Sequence, residues 1–295
     1  MTNDEWDILR PRHWPKNVFV LAGVVFSQKL FGPGSQAMLA AGKALGALIC
    51  FCLVSSAVYI CNDLVDRKAD RLHPRKSQRP IASGRVTQKQ ALRLMVFCLS
   101  GSLIGSYLIE PFLTLWALAY FGLMLFYSMS LKRVMILDCI VIAVGFCLRA
   151  VAGAVAVDVA ISSWLVICTF ALCLFLGFGK RRSEIEQLTG DAQAYRQTLA
   201  GYTPELLAHM MNVTSGLAIV CFLLYATNAE TEPKPWTEHP LAYTMPLVLF
   251  CIFRFSAMIQ KGTHAGPVQV FWADRPFQVG LILWVAACLV ILYYG

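Results

Sequence analysis

The stretch AMLAAGKALGALICFCLVSSAVYIC at residues 37–61, which runs directly into NDLVDRKADRLHPRKSQRPIASG at 62–84, decides the fold. Its first part carries Lys43 as its single charge and exceeds the roughly 20 apolar residues that cross a hydrocarbon core of about 30 Å. Its second part is dense in acids, bases and proline. An apolar helix that empties into a charged, Pro-bounded loop is a membrane span meeting water.

The same alternation recurs on both sides. Apolar stretches near bilayer length fall at about 17–31, 37–61, 91–109, 112–130, 134–157, 160–179, 206–227, 241–258 and 276–294, which predicts nine transmembrane helices. With 58% hydrophobic and 14% charged positions among 295 residues, the chain has too few charged side chains to clothe a water-soluble globule. The expected fold class is therefore all-α, a polytopic integral membrane bundle with cytoplasmic cap loops at 62–90 and 180–205. Trp6 and Trp14 mark residues 1–16 as an interfacial segment. No basic n-region precedes an apolar core at the N-terminus, so a cleaved signal peptide is not expected. The 11 cysteines lie in or beside apolar runs without zinc spacing and read as small apolar residues.

Nine spans put the termini on opposite sides, and the basic residues choose the sides. With the N-terminus in the cytoplasm, Arg10, Arg12, Lys16, the run from Arg67 to Arg93, Lys132, Arg133, Lys180 to Arg182, Arg196, Lys261 and Arg275 all lie inside. Lys29, Lys43 and Lys234 fall outside, where the loops carry Glu110, Asp158, Glu230, Glu232 and Glu238. The expected placement is a bacterial inner membrane with the N-terminus and charged loops cytoplasmic and the C-terminus outside. This asymmetry accounts for much of the net charge of +8 at pH 7. It leaves no soluble domain to form a nucleic-acid groove. Anionic lipid headgroups and anionic substrates are the expected partners of such loops.

If the second span continues as a helix through residue 70, then Asp63, Asp66 and Asp70 at i, i+3 and i+7 project from one face, within about 60°. Three carboxylates at one membrane surface repel unless a cation intervenes, and Mg2+ takes one or two carboxylates together with phosphate oxygens and water. The other reading is a solvated helix end with ion pairs such as Asp63 with Arg67.

NDLVDRKAD followed by RLHPRKSQRPIASG resembles the first aspartate-rich motif, NDxxDxxxD with an RPI(A/P)SG tail, of the UbiA superfamily of intramembrane prenyltransferases. The resemblance covers nearly the whole chain, including the stretch from Tyr127 to Lys132 at the end of the fourth span. It implies one transmembrane catalytic domain over 1–295, with Asn62, Asp63, Asp66 and Asp70 as the face that holds Mg2+ and a diphosphate. Asp63, Asp66 and Asp70 would be the catalytic metal ligands.

Superfamily members that move a prenyl group to an aromatic acceptor carry a second DxxxD after the sixth span. This chain has GKRRSE at 179–184 instead. Arg forks and Lys point charges suit phosphate, which makes Lys180, Arg181 and Glu184 candidate substrate residues. A positive-inside anchor with Lys180 and Glu184 paired at i, i+4 is the other reading.

That run, together with RPRHWPKN at 10–17, the span from Asp138 to Asp158 and YTPELL at 202–207, is similar to decaprenyl-phosphate phosphoribosyltransferases. This narrower resemblance implies transfer of 5-phosphoribose from 5-phosphoribosyl diphosphate to a polyprenyl phosphate, giving a lipid-linked precursor of D-arabinofuranose for cell-envelope glycans. Lys16, Tyr127 and Lys132 join the expected substrate-binding set, and Arg75, Lys76 and Arg79 are expected to close over the phosphates. A prenyltransferase acting on an aromatic acceptor is the alternative enzyme. A lipid transporter is the alternative from another class, but it predicts inverted repeats or broken helices that the sequence lacks.

Asp138 and Arg149 lie eleven residues apart in the fifth span, sharing a stripe about 16 Å long. Ionisable groups at that depth usually line a bundle interior. They are expected either to pair with other helices or to line a polar cavity, Arg149 at its floor against phosphate or ribose oxygens and Asp138 nearer its mouth. Arg254 either faces such a cavity or snorkels to the interface, and Asp274 is placed to cap the last helix. Gly145, Ala152, Gly153 and Ala156 suit close helix packing, which also leaves a homo-oligomer open.

Overall fold

The computed structural model describes residues 2–27, 29, 34–72, 76–160, 162–186, 199, 201–227, 240–262 and 267–294. All regular elements among them are helical. Eight helical stretches, Ser35–Val65, Gln88–Ile109, Pro111–Met129, Leu137–Ala156, Ser163–Glu186, Pro204–Thr227, Pro240–Gln260 and Arg275–Tyr293, are long and apolar enough to cross a membrane. Large apolar side chains such as Ile104, Leu108, Phe112 and Ile282 stand exposed along them, a surface suited to hydrocarbon and not to water. The chain is an integral membrane protein.

The first predicted span is the one that differs. A short helix α1 (Asn3–Leu9) ends at Arg10 in the left-handed region, and a 3-10 helix, Pro11–Leu21, then leads into α2 (Ala22–Phe26). Pro15 inside that segment lacks an N–H and crowds the preceding carbonyls, which works against the α-helical ladder. A 3-10 helix rises about 2.0 Å per residue against about 1.5 Å for an α-helix. The 11 residues of the 3-10 helix and the 5 of α2 thus advance about 30 Å together, close to the hydrocarbon thickness. Counted as a crossing, this segment would bring the described residues to about nine.

The chain divides into two compact units, residues 1–132 with 145–161, and 133–144 with 162–295. In the first, α3 (Ser35–Val65) is the central helix, followed by α4 (Arg67–Leu72), α5 (Pro80–Ser83), α6 (Gln88–Ile109), α7 (Pro111–Met129) and the second half of α8 (Leu137–Ala156). A Thr87/Gln90 capping box starts α6, and Pro111 opens α7. Ile8 and Leu9 of α1 pack with Ala57, Ile60, Ile81, Val86, Ala91 and Cys98. That apolar patch holds the N-terminal segment over the charged end of α3. Lower down, α8 meets the 3-10 helix backbone to backbone: a Cβ on Gly153 would lie 1.7 Å from the Val20 carbonyl oxygen, so only glycine fits. Lys29 donates to the Val157 and Asp158 carbonyls at 3.0 and 2.7 Å, a cation at the C-terminal end of α8.

The second unit contains the first half of α8, then α9 (Ser163–Glu186), α10 (Pro204–Thr227), α11 (Met245–Gln260), α12 (Pro267–Ala273) and α13 (Arg275–Tyr294). Here α9 and α10 pack along their lengths, and α11 joins through the edge-on rings of Phe175 and Phe255 at 5.1 Å.

Candidate active site

The helix expected to carry three aligned carboxylates is broken at the middle one. Asp66 caps α3 with φ −83° and ψ 0°, and α4 resumes at Arg67. The break sends the carboxylates two ways. Asp63 and Asp70, both 4% exposed, turn toward Arg79, whose Nη1 lies 3.1 Å from Asp63 Oδ1 and 2.7 Å from Asp70 Oδ2. Arg10 Nη2 reaches the same Asp63 oxygen at 2.6 Å. Asp66 points instead to Lys132, whose Nζ lies 2.6 and 2.7 Å from its oxygens and 3.5 Å from Asn62 Oδ1.

Local chemistry explains these positions. Pro80 holds Arg79 in extended backbone, with ψ 143°. The Arg71 guanidinium donates to the Ala82 carbonyl at 2.9 Å, tying α4 to α5. Gly84, at φ 86°, ends α5 in the left-handed conformation that favours glycine. Arg10 arrives because α1 is seated on α3 by its apolar face.

A cation has a place here. Two hard carboxylate oxygens already converge on one cationic nitrogen of Arg79, and Mg2+ is commonly held by one or two carboxylates plus phosphate oxygens. Asp63 and Asp70 therefore present oxygens of the kind a divalent ion takes. Among the described residues no three acidic, His or Cys side chains are disposed to hold an ion together. The expected convergence of Asp63, Asp66 and Asp70 is thus corrected to a pair and a separate Asp66, because the kink divides them.

Below this mouth a polar track runs down the same unit. The Arg10 guanidinium lies over the Tyr59 ring, 5.2 Å from its centroid, and Trp14 donates to Ser56 at 3.0 Å. Deeper still is Arg149, 5% exposed. Its Nε donates to Asn17 Oδ1 at 2.8 Å, its Nη1 to the Gly145 carbonyl at 2.9 Å and its Nη2 to the Tyr120 hydroxyl at 2.6 Å. The guanidinium stacks over Tyr120 and Phe146 at 4.5 and 4.9 Å. Asn17 also accepts from Ser55 at 3.0 Å.

In the second unit, Asp138 at the start of α8 is fully buried. Arg181 Nε lies 2.9 Å from Asp138 Oδ2, and the Tyr202 hydroxyl donates to Oδ1 at 2.9 Å. Tyr202 in turn accepts from the Ile136 N–H at 2.6 Å. Ile136 stands at φ 69°, a conformation that a β-branched side chain rarely adopts, and this hydrogen bond helps hold it there. Burial, then the nearby Cys139 and Asp138, push the Tyr202 phenol above its ordinary value, so it stays protonated and donates. Arg181 also pairs with Glu184.

Several expected site residues are accordingly placed elsewhere. Arg181, read as a phosphate ligand, is buried in the Asp138 pair. Asp138 lies in the second unit and Arg149 in the first, and each meets groups from other segments of its own unit, the pairing weighed for them. Lys180 lies 3.6 Å from Glu184, the helical i, i+4 pairing weighed for it. Arg254 forks onto Asp274 at 3.0 and 2.8 Å, while Asp274 accepts from the Phe277 N–H and caps α13 as expected. Lys16, Lys76 and Tyr127 are half-buried in the first unit. Arg75 lies outside the described residues.

Sequence reasoning overlooked Arg10, Asn17, Tyr59, Tyr120 and Tyr202 as site residues. Asn17 and Tyr120 carried a signal, being hydrogen-bonding groups within apolar runs. Arg10 carried only its place at the head of RPRHWPKN, since its reach to Asp63 depends on how α1 is seated.

The chain is similar to known proteins over most of its length. Residues 18–284 match the UbiA prenyltransferase family. The decaprenyl-phosphate phosphoribosyltransferase of Mycolicibacterium smegmatis is 30% identical over 294 residues, covering 97% of this chain and 92% of that protein. The enzyme of the same name from Mycobacterium tuberculosis is 30% identical over 280 residues, covering 94% and 90%. Among solved structures, a UbiA homolog from Archaeoglobus fulgidus bound to GPP and Mg2+ superposes with a TM-score of 0.73 at 19% identity, covering 98% of this chain and 99% of that one. Two carboxylates bracketed by basic side chains at the end of a long membrane helix thus sit within a shared fold and a match over most of the sequence, and the chain belongs to the UbiA prenyltransferase family.

Proposed function

We propose that this chain is a transferase that moves 5-phosphoribose from 5-phosphoribosyl diphosphate to a polyprenyl phosphate, releasing diphosphate. The observation that carries the reading is the pairing of Asp63, Asp66 and Asp70 with Arg10, Arg79 and Lys132 inside one unit. Acids suited to a metal-bound diphosphate and bases suited to phosphate stand side by side, as two phosphorylated substrates require. The relatives that carry the phosphoribosyltransferase name, and GKRRSE where a second DxxxD would stand, favour this donor over a prenyl diphosphate.

Asp63 and Asp70 would hold Mg2+, which when bound withdraws negative charge from the leaving diphosphate. Arg79 and Arg10, freed from the carboxylates, turn to the diphosphate oxygens. Lys132 and Asn62 orient the donor from the Asp66 side, with Lys16, Lys76 and Tyr127 near it. The bond between the anomeric carbon and the diphosphate oxygen breaks with oxocarbenium character. An oxygen of the polyprenyl phosphate forms the new bond from the opposite face, inverting the carbon. Because that acceptor is already anionic, no general base has to take a proton from it. With the 3-10 helix and α2 counted as a crossing, the N-terminus and the charged loops lie in the cytoplasm and the C-terminus outside. The product would serve as a lipid-linked pentose donor for envelope glycans.

The test is incubation of detergent-purified protein with labelled 5-phosphoribosyl diphosphate, Mg2+ and a polyprenyl phosphate. Label is expected in a lipid-soluble product, and Asp63→Ala is expected to remove it. Product formed only from a prenyl diphosphate and an aromatic acid would overturn the reading. Turnover by Asp63→Ala with unchanged Mg2+ dependence would overturn the metal assignment.

A further inference from the structure

Resting on the proposed reaction, we infer that Arg149 is the receptor for a phosphate monoester brought by one of the two substrates, and that it sets the requirement for that phosphate. Arg149 is a buried, permanently charged group at membrane depth, where a charge is normally paired or lines a pathway. Among the described residues no Asp or Glu lies within ion-pairing distance of it. The acceptors it uses are neutral: the Asn17 amide, the Gly145 carbonyl and the Tyr120 hydroxyl. These engage three of its five N–H groups and leave one on each terminal nitrogen.

The surroundings hold the guanidinium rigidly without neutralising it. Tyr120 and Phe146 stack on it, and Asn17 is itself fixed by Ser55. An oriented cation with spare donors in a fork is suited to phosphate oxygens. The contrast with Arg181 is informative, since that equally buried arginine has Asp138 beside it. The place also suits a second anion. Ser55, beside Asn17, is eight residues before Asp63 on α3, about 12 Å below the carboxylates. A donor with its diphosphate at the mouth extends its other phosphate toward that depth, and the headgroup of a lipid acceptor entering from the side reaches the same depth.

The two sources share one chemistry and are separated by ligand. Thermal shift on the purified protein would compare 5-phosphoribosyl diphosphate with ribosyl 1-diphosphate, and polyprenyl phosphate with polyprenol. The wild type is expected to prefer the phosphate-bearing form of at least one pair by about tenfold or more. Arg149→Gln should abolish that preference for one pair and leave the other intact, and the pair affected identifies the source. Asn17→Asp, which places a carboxylate against the guanidinium with little change of shape, should abolish the same preference while preserving the fold, even where Arg149→Gln does not fold. Preferences that survive both substitutions, or a wild type indifferent to phosphate in both pairs, would overturn the inference. Because the readout is binding, a wild type that shows the preference but forms no labelled product would refute the reaction and leave the receptor standing.

Discussion

Replacing Arg181 with Met tests whether the Asp138–Arg181 pair is a structural element. The substitution keeps an apolar stem and much of the volume but removes the charge. In the intact protein Arg181 and Asp138 have side-chain exposures of 2% and 0%, with 2.9 Å between Nε and Oδ2. Arg181→Met leaves a buried carboxylate without its cation, a change that typically costs about 3–5 kcal/mol. The Tyr202 hydroxyl still donates to Asp138, so the expectation is the lower end, about 3 kcal/mol. The double variant Asp138→Leu with Arg181→Met removes both charges, and is expected to return to within about 1–2 kcal/mol of the wild type, the residue being the stranded tyrosine hydroxyl. The assay is equilibrium unfolding in detergent followed by circular dichroism. A single variant that costs under about 1 kcal/mol, or a double variant as damaged as the single, would refute the reasoning.

Other expectations follow from individual contacts. Tyr202→Phe removes the donor to Asp138 and the acceptor of the Ile136 N–H, and should cost about 1.5–3 kcal/mol by the same assay. The folded-state phenol value is raised, so its contribution is complete below the unfolded value of about 10 and is lost as pH climbs above it. The stability difference between wild type and Tyr202→Phe should therefore shrink above that pH, and a difference constant with pH counts against the assignment. Gly153→Ala forces a Cβ onto the Val20 carbonyl and should cost at least about 3 kcal/mol or abolish folding, checked by expression and monodispersity. Thr87→Ala removes the α6 capping box and should cost about 1 kcal/mol, with no change in substrate binding.

Much of the architecture was legible because a bilayer imposes length and apolarity on each span. Those two quantities are local, so eight of the predicted spans, all but the one at about 17–31, correspond to long apolar helices. The 17–31 span was read as an α-helix because hydropathy does not report how tightly the backbone winds around Pro15. The acidic motif was legible as a cluster of charges, but its geometry depended on the bend at Asp66 between α3 and α4, which no periodicity in NDLVDRKAD announces. The helical pairing of Lys180 with Glu184 needed only spacing, whereas Arg254 with Asp274 needed two helices to be packed.

By itself the sequence determined that this chain lives in a membrane, where along the chain its charged segments lie, and that acids and bases cluster together. Hydropathy, charge and motif spacing are properties of neighbouring residues, and these conclusions require nothing else. Only the tertiary structure decided which base meets which acid. Arg10 reaches Asp63 across the seat of α1 on α3, Asp66 turns to Lys132, Arg181 is consumed by Asp138, and Arg149 is buried among neutral acceptors. A buried charge takes its meaning from what lies within a few ångströms of it, and those neighbours come from segments distant in the chain.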